Sequence, residues 1–213
     1  MIRLSLHDPP AQRVEALSTV FQTSYPIGER IAGTGNEHAG GLRLFSLDRQ
    51  QVLQITPQSF SFHRLRPYDR WETFVWGAHS AWRTFVPVCR PTAVTEVQLR
   101  YVNVFHLSLP FEAWSEYLVM RPEIPPPVDT GLVSYTMSLN LTDTNVPATA
   151  VVTQTTQGER NDIVQVVFDI ATRTGFEGKV TEVEVWQALD RLREYKNRLF
   201  FEGITERAKE LFR

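Results

Sequence analysis

An α+β protein is the expectation for this chain: two similar β-α-β-β-β-α halves, their strands in an antiparallel sheet with helices packed on one side. Three observations predict it. The order strand, helix, three strands, long helix can be read from Ile2 to Cys89 and again from Val94 to Phe212. The tripeptide Leu-Ser-Leu stands at Leu4–Leu6 and recurs at Leu107–Leu109, each time ahead of the first helix of a half. Both long helical stretches carry tryptophan on an apolar stripe. The halves divide as residues 1–93 and 94–213. Their junction is too short for independent beads, so the expectation is one pseudo-symmetric unit.

Ile2–Leu6 reads as a strand ended by Pro9 and Pro10. Val14, Leu17, Val20 and Phe21 then recur at helical spacing as far as Ser24. The Gly-rich stretch Gly33–Gly41 resembles a phosphate cradle in composition but lacks the Lys-Ser/Thr of a P-loop, so it reads as a connection. Leu42–Leu47, Gln51–Ile55 and Ser59–His63 alternate and form a meander. Asp69 and Glu72 stand in capping-box spacing ahead of the stripe Trp71, Phe74, Val75, Ala78, Trp82, Phe85 and Cys89, which Pro87 and Pro91 close. Val94–Leu109 is the longest strand. Pro110 opens a short helix through Trp114, Tyr117 and Leu118. The proline-rich stretch Arg121–Thr130 is a stiff connection. Strands follow at Leu132–Leu141, Ala148–Thr155 and Ile163–Thr172. Thr181 and Glu184 cap the last long helix, whose stripe is Val185, Trp186, Leu189, Leu192, Tyr195, Leu199 and Phe200. Gly203 ends it, and Thr205 caps a final turn.

Composition narrows the function classes. The chain has 213 residues, 42% hydrophobic and 22% charged, with a net charge of −2, so no global field draws it to nucleic acid or anionic membrane. No apolar run reaches the length of a membrane span. Cys89 is the only cysteine, so a reducing compartment is expected; the N-terminus lacks a signal-peptide pattern, and a cytoplasmic location follows.

Candidate chemistry is sparse. No nucleophile elbow, Ser-x-x-Lys pair or dinucleotide fingerprint is present. The histidines His7, His38, His63, His79 and His106 show no ligand spacing, so no metal and no cofactor is expected. Arg100, Tyr101 and Asn103 form the best constellation, with Arg100 on one face of its strand and the other two on the opposite face. Arg64, Arg66 and Arg70 cluster before the Trp71 helix and could take carboxylates or phosphates. The site expectation is therefore Arg64, Arg66, Arg70 and Arg100 for binding, with Tyr101, Asn103 and Trp71 as support. Asp169 lies within a strand and either faces solvent or pairs with an arginine.

Three segments carry a family resemblance. Phe62-His63-Arg64-Leu65-Arg66-Pro67-Tyr68-Asp69-Arg70-Trp71-Glu72, Leu99-Arg100-Tyr101-Val102-Asn103 and Asn197–Glu206 resemble blocks of a sporadically distributed prokaryotic family of uncharacterised proteins. The resemblance covers nearly the whole chain and implies no particular reaction. Its patchy distribution is similar to that of mobile or defence-associated genes. The functional expectation is a non-catalytic protein-binding module within a defence or toxin-neutralising system, meeting its partner through anionic groups. The alternative is a small-molecule sensor or carrier with a cleft between the halves, lined by Trp71, Trp82, Trp114 and Tyr101.

Overall fold

The computed structural model describes residues 1–7, 11–32, 40–68, 70–125, 132–160 and 162–212. The chain is mixed α and β, with one large antiparallel sheet and helices. Its contacts divide it into two units, Met1–Gln98 with Gly175–Ala188, and Leu99–Thr174 with Leu189–Arg213. The Gly33–Ala39 stretch, Asp69 and Asp129 lie outside the described residues.

The first unit holds β1 (Ile2–His7), α1 (Ala11–Phe21), β2 (Ile27–Ile31), β3 (Gly41–Phe45), β4 (Gln51–Thr56), β5 (Ser59–Arg64) and α2 (Trp71–Cys89), then the start of β6 (Ala93–Ser108). Its strand order is β2-β3-β4-β5-β1-β6. β3, β4 and β5 form the expected meander, with Leu44 opposite Leu53 and Leu53 opposite Phe62. β1 returns beside β5, Leu4 facing Phe60. α2 covers this sheet because its stripe recurs at helical spacing: Phe74, Ala78, Trp82, Phe85 and Cys89 are all buried. Its rings meet the sheet at Phe60–Phe85 (5.0 Å), Phe60–Trp82 (5.4 Å) and Phe62–Phe74 (5.6 Å). Gly77 permits the approach, since a Cβ there would stand 2.8 Å from Cζ of Phe62.

The expected helix start shifts. α2 begins at Trp71 with Arg70 as its extended N-cap, and the Arg70 side chain makes no capping bond. Pro87 lies inside the helix, and Arg90, left-handed at φ 46°, ends it. β2 stands where the sequence predicts no strand. Ile27-Gly-Glu-Arg-Ile31 puts charge at the middle of a strand, and only an edge position, with solvent on one side, allows that.

The second unit holds the rest of β6, a 3-10 turn at Trp114–Glu116, β7 (Thr136–Thr142), β8 (Thr149–Arg160) and β9 (Ile163–Gly175). The later turns of α3 (Glu182–Gly203), then α4 (Glu206–Lys209) and a last 3-10 turn complete it. Its strand order is β6-β9-β8-β7. Val152, Val166, Phe168 and Ile170 form a core with Phe105, Leu107, Phe200 and Ile204. The helix expected after Pro110 is only the 3-10 turn. Glu116 draws its chain back instead, accepting from the Glu112 and Ala113 amides at 2.6 and 3.0 Å. Leu118 then bridges to Ile204.

The start of α3 lies in the first unit and has the expected cap. The Thr181 amide donates to Glu184 (2.7 Å), and the Glu184 amide donates to the Thr181 hydroxyl (3.3 Å). Trp186 departs from the expected core role. It is half-buried, its indole donates to Glu182, and its ring stands 4.9 Å from His79.

The two halves share an order in part. Each opens with a strand, passes through a meander and closes with a long helix, and each opening strand lies beside the last strand of its meander. The first half adds β2 and has an 11-residue helix where the second has a 3-residue turn.

Candidate functional site

The arginine cluster sits where β5 leaves the sheet. Arg64 pairs opposite Gln51, and the Leu65 amide donates to the Gln50 carbonyl at 2.7 Å. Past that bond the chain turns outward. Leu65 is 48% exposed, Tyr68 41% and Trp76, in the second turn of α2, 73%. Arg66 and Arg70 are exposed beside them. Trp71 faces the other way and is buried against Phe74 at 5.9 Å. The helix repeat explains the split: Trp71, Phe74 and Ala78 share the inner stripe, while Glu72 and Trp76, four apart, share the outer face. Arg64 is half-buried and faces the turn at Asp48. The Ser46 hydroxyl and the Gln50 amide hold the Asp48 carboxyl below its ordinary range, and Arg64 adds to this. Of the predicted cluster, Arg66 and Arg70 are exposed, whereas Arg64 is half-buried.

In the second unit the β6 constellation separates as alternation requires. Arg100 forks onto Asp169, its Nε 2.9 and 3.0 Å from the two carboxylate oxygens. The Arg100 side chain remains 47% exposed within that ion pair. Asn103 donates to the Phe168 carbonyl at 3.2 Å and ties β6 to β9. Tyr101 is half-buried beneath Lys196, whose Nζ lies 4.0 Å from the ring centre. Lys196 is only 8% exposed, and burial pushes its pKa down to about 8. Lys196 is absent from the predicted site, yet its signal is in the sequence: it lies four residues after Leu192 and seven after Leu189, on the apolar stripe of α3.

A groove of 630 Å³ opens in the second unit between the Phe111–Ser115 turn and the Leu132–Val133 chain. Phe111 and Trp114 meet edge-to-face at 5.1 Å, and the Trp114 indole is fixed on the Leu132 carbonyl at 2.9 Å. Arg121 binds the Leu118 and Val119 carbonyls and Glu123, so it shapes the wall. Of the residues expected to line an aromatic cleft, Trp71 and Trp82 are buried in the first unit's core.

The remaining candidates are quiet. Cys89 is fully buried. His106 is exposed and within 3.5 Å of Gln165, while His63 stands opposite Val52. Among the described residues no group of three or more His, Cys, Asp or Glu could hold a metal ion. No described helix is long and apolar enough to cross a membrane. No protein-family model, curated protein or solved structure matches this chain.

Proposed function

We propose that this chain is a non-catalytic module that binds a protein partner, and that the Leu65–Trp76 surface of the first unit is its recognition element. One observation carries the reading: Leu65, Tyr68 and Trp76 lie exposed among Arg66 and Arg70, although Trp71 and Phe74 between them are core. Exposed tryptophan, tyrosine and arginine are the residue types that dominate binding energy at protein interfaces. The arginines suit a partner offering carboxylates or phosphates. Arg100 contributes to this reading only as an ion pair with Asp169. The place of such a module in a defence or toxin-neutralising system rests on the family resemblance, whereas the proposal that its two halves are repeats rests on the recurring element order and the two Leu-Ser-Leu segments.

The test compares the wild-type chain with Arg66→Glu and Trp76→Ala as baits. Both variants should keep the wild-type melting temperature and lose a stoichiometric partner. Equal capture by all three would remove this surface from the account.

The groove favours a second reading, a small-molecule sensor or carrier. Its volume lies in the usual range for ligand sites, and Phe111 and Trp114 supply aromatic walls. Native mass spectrometry of the purified chain separates the readings: a bound small molecule that Trp114→Ala releases supports the groove.

A further inference from the structure

Beyond that reading, the geometry points to β7 as a self-pairing edge: we propose that two copies of this chain dimerise by antiparallel pairing of β7 with β7 about a two-fold axis at Leu139. β7 ends the strand order, with β8 as its neighbour on one side. The other side shows a row of backbone groups whose owners can be identified. The Tyr135 carbonyl accepts from the Thr156 amide, and the Asp143 amide donates to the Ala148 carbonyl. Both residues therefore turn their backbone groups toward β8. In an antiparallel ladder that direction alternates, so Met137, Leu139 and Leu141 also face β8. Thr136, Ser138, Asn140 and Thr142 turn their N–H and C=O groups outward. Among the described residues no hydrogen bond outside the β7–β8 ladder reaches those four backbones.

This edge lacks the usual guards. Thr-Met-Ser-Leu-Asn-Leu-Thr holds no charge, no proline and no glycine, and its pairing with β8 runs without a bulge. The opposite edge of the sheet, β2, carries Glu29 and Arg30 behind Pro26.

The strand is also complementary to itself. With Leu139 opposite Leu139 of a second copy, Met137 faces Leu141, Ser138 faces Asn140 and Thr136 faces Thr142. Apolar meets apolar on the half-buried face, and hydroxyl or amide meets its like on the exposed face. The outward backbones fall opposite one another in this register, which makes 136/142 and 138/140 the hydrogen-bonded pairs and Leu139 the non-hydrogen-bonded pair on the axis. A shift by one residue would place apolar side chains against polar ones. Neutrality removes the like-charge repulsion that would otherwise oppose two identical strands. A second copy satisfies every one of these conditions.

The test measures the mass of the full chain in solution by sedimentation across a concentration series. The wild-type chain should sediment as a dimer that dissociates on dilution. Ser138→Pro removes one outward N–H that the β8 ladder does not use, and the double change Ser138→Lys with Asn140→Lys sets like charges opposite one another. Both should give monomers, and the lysine variant should keep its melting temperature. Register has its own readout. On mild oxidation, Leu139→Cys should form a disulfide-linked dimer with itself, because non-hydrogen-bonded pairs bring Cα atoms to about 4.5 Å, within disulfide reach. Met137→Cys should not cross-link to itself but should cross-link to Leu141→Cys. A wild-type chain that stays monomeric at its highest soluble concentration overturns the proposal, even if another protein's strand is found on the edge. So does a dimer that survives the lysine variant with the fold intact.

Discussion

Lys196 shows how one side chain sets a pH dependence. Its ammonium lies in a position that is 8% exposed, over the Tyr101 ring, and burial lowers its pKa from 10.5 to about 8. The ring's negative face offsets part of the desolvation. The unfolded chain regains the ordinary value. Between about pH 8 and 10.5 the unfolded state thus holds a proton that the native state has released, and stability rises with pH across that window. Below pH 8 both states are charged and the native state bears the full penalty, of order 3 kcal/mol. Lys196→Met should therefore raise the melting temperature at neutral pH and flatten the rise above pH 8, as thermal melts at several pH values would show. A wild-type melting temperature that falls from pH 8 to 10 would contradict the buried-lysine account. Asn103 is smaller in effect. Asn103→Ala removes the bond to the Phe168 carbonyl and should cost about 1 kcal/mol in a denaturant titration.

Helix α2 is where packing is tightest. Gly77→Ala would press a methyl onto Phe62, which is 1% exposed and has no room to retreat, so a loss of about 1–3 kcal/mol is expected from chemical denaturation. Trp82→Ala should cost about 3–5 kcal/mol, because Phe60 and Phe85 both rest on that ring. Elements of this kind were legible in the sequence. A helical period over nineteen residues, a Thr-x-x-Glu cap and the short turn-separated apolar segments of β3 to β5 each encode their own geometry. What failed was set by distant partners. Leu118 takes its place from Ile204, and the turn before it is closed by Glu116, whose other oxygen pairs with Arg207. Trp186 repeats the apolar period yet stays half-buried, since its neighbours are His79 and Glu182. The site was legible by residue type only. Arg66 and Arg100 look alike in sequence, and Asp169, sixty-nine residues away from Arg100, decides that one is an ion pair and the other is open.

For the whole molecule, the contact units draw on distant parts of the chain. The first unit also needs Val94–Gln98 of β6 and Gly175–Ala188, which arrive from the far end of the chain. A fragment of residues 1–93 would lack both and should stay unfolded by circular dichroism and proton NMR, even though its core aromatics are all present. The central claim, that the chain acts by binding a partner through Leu65–Trp76, is tested most directly by one paired measurement. Wild-type chain and the double variant Arg66→Glu with Trp76→Ala are immobilised, challenged with an extract of the native host, and the retained proteins quantified beside the melting temperature of each bait. Both side chains are exposed, so the baits should melt within about 0.5 kcal/mol of one another in stability. The account predicts a stoichiometric partner on the wild-type bait, reduced at least tenfold on the variant. Equal retention by two equally folded baits, or no stoichiometric partner on the wild type, would contradict it.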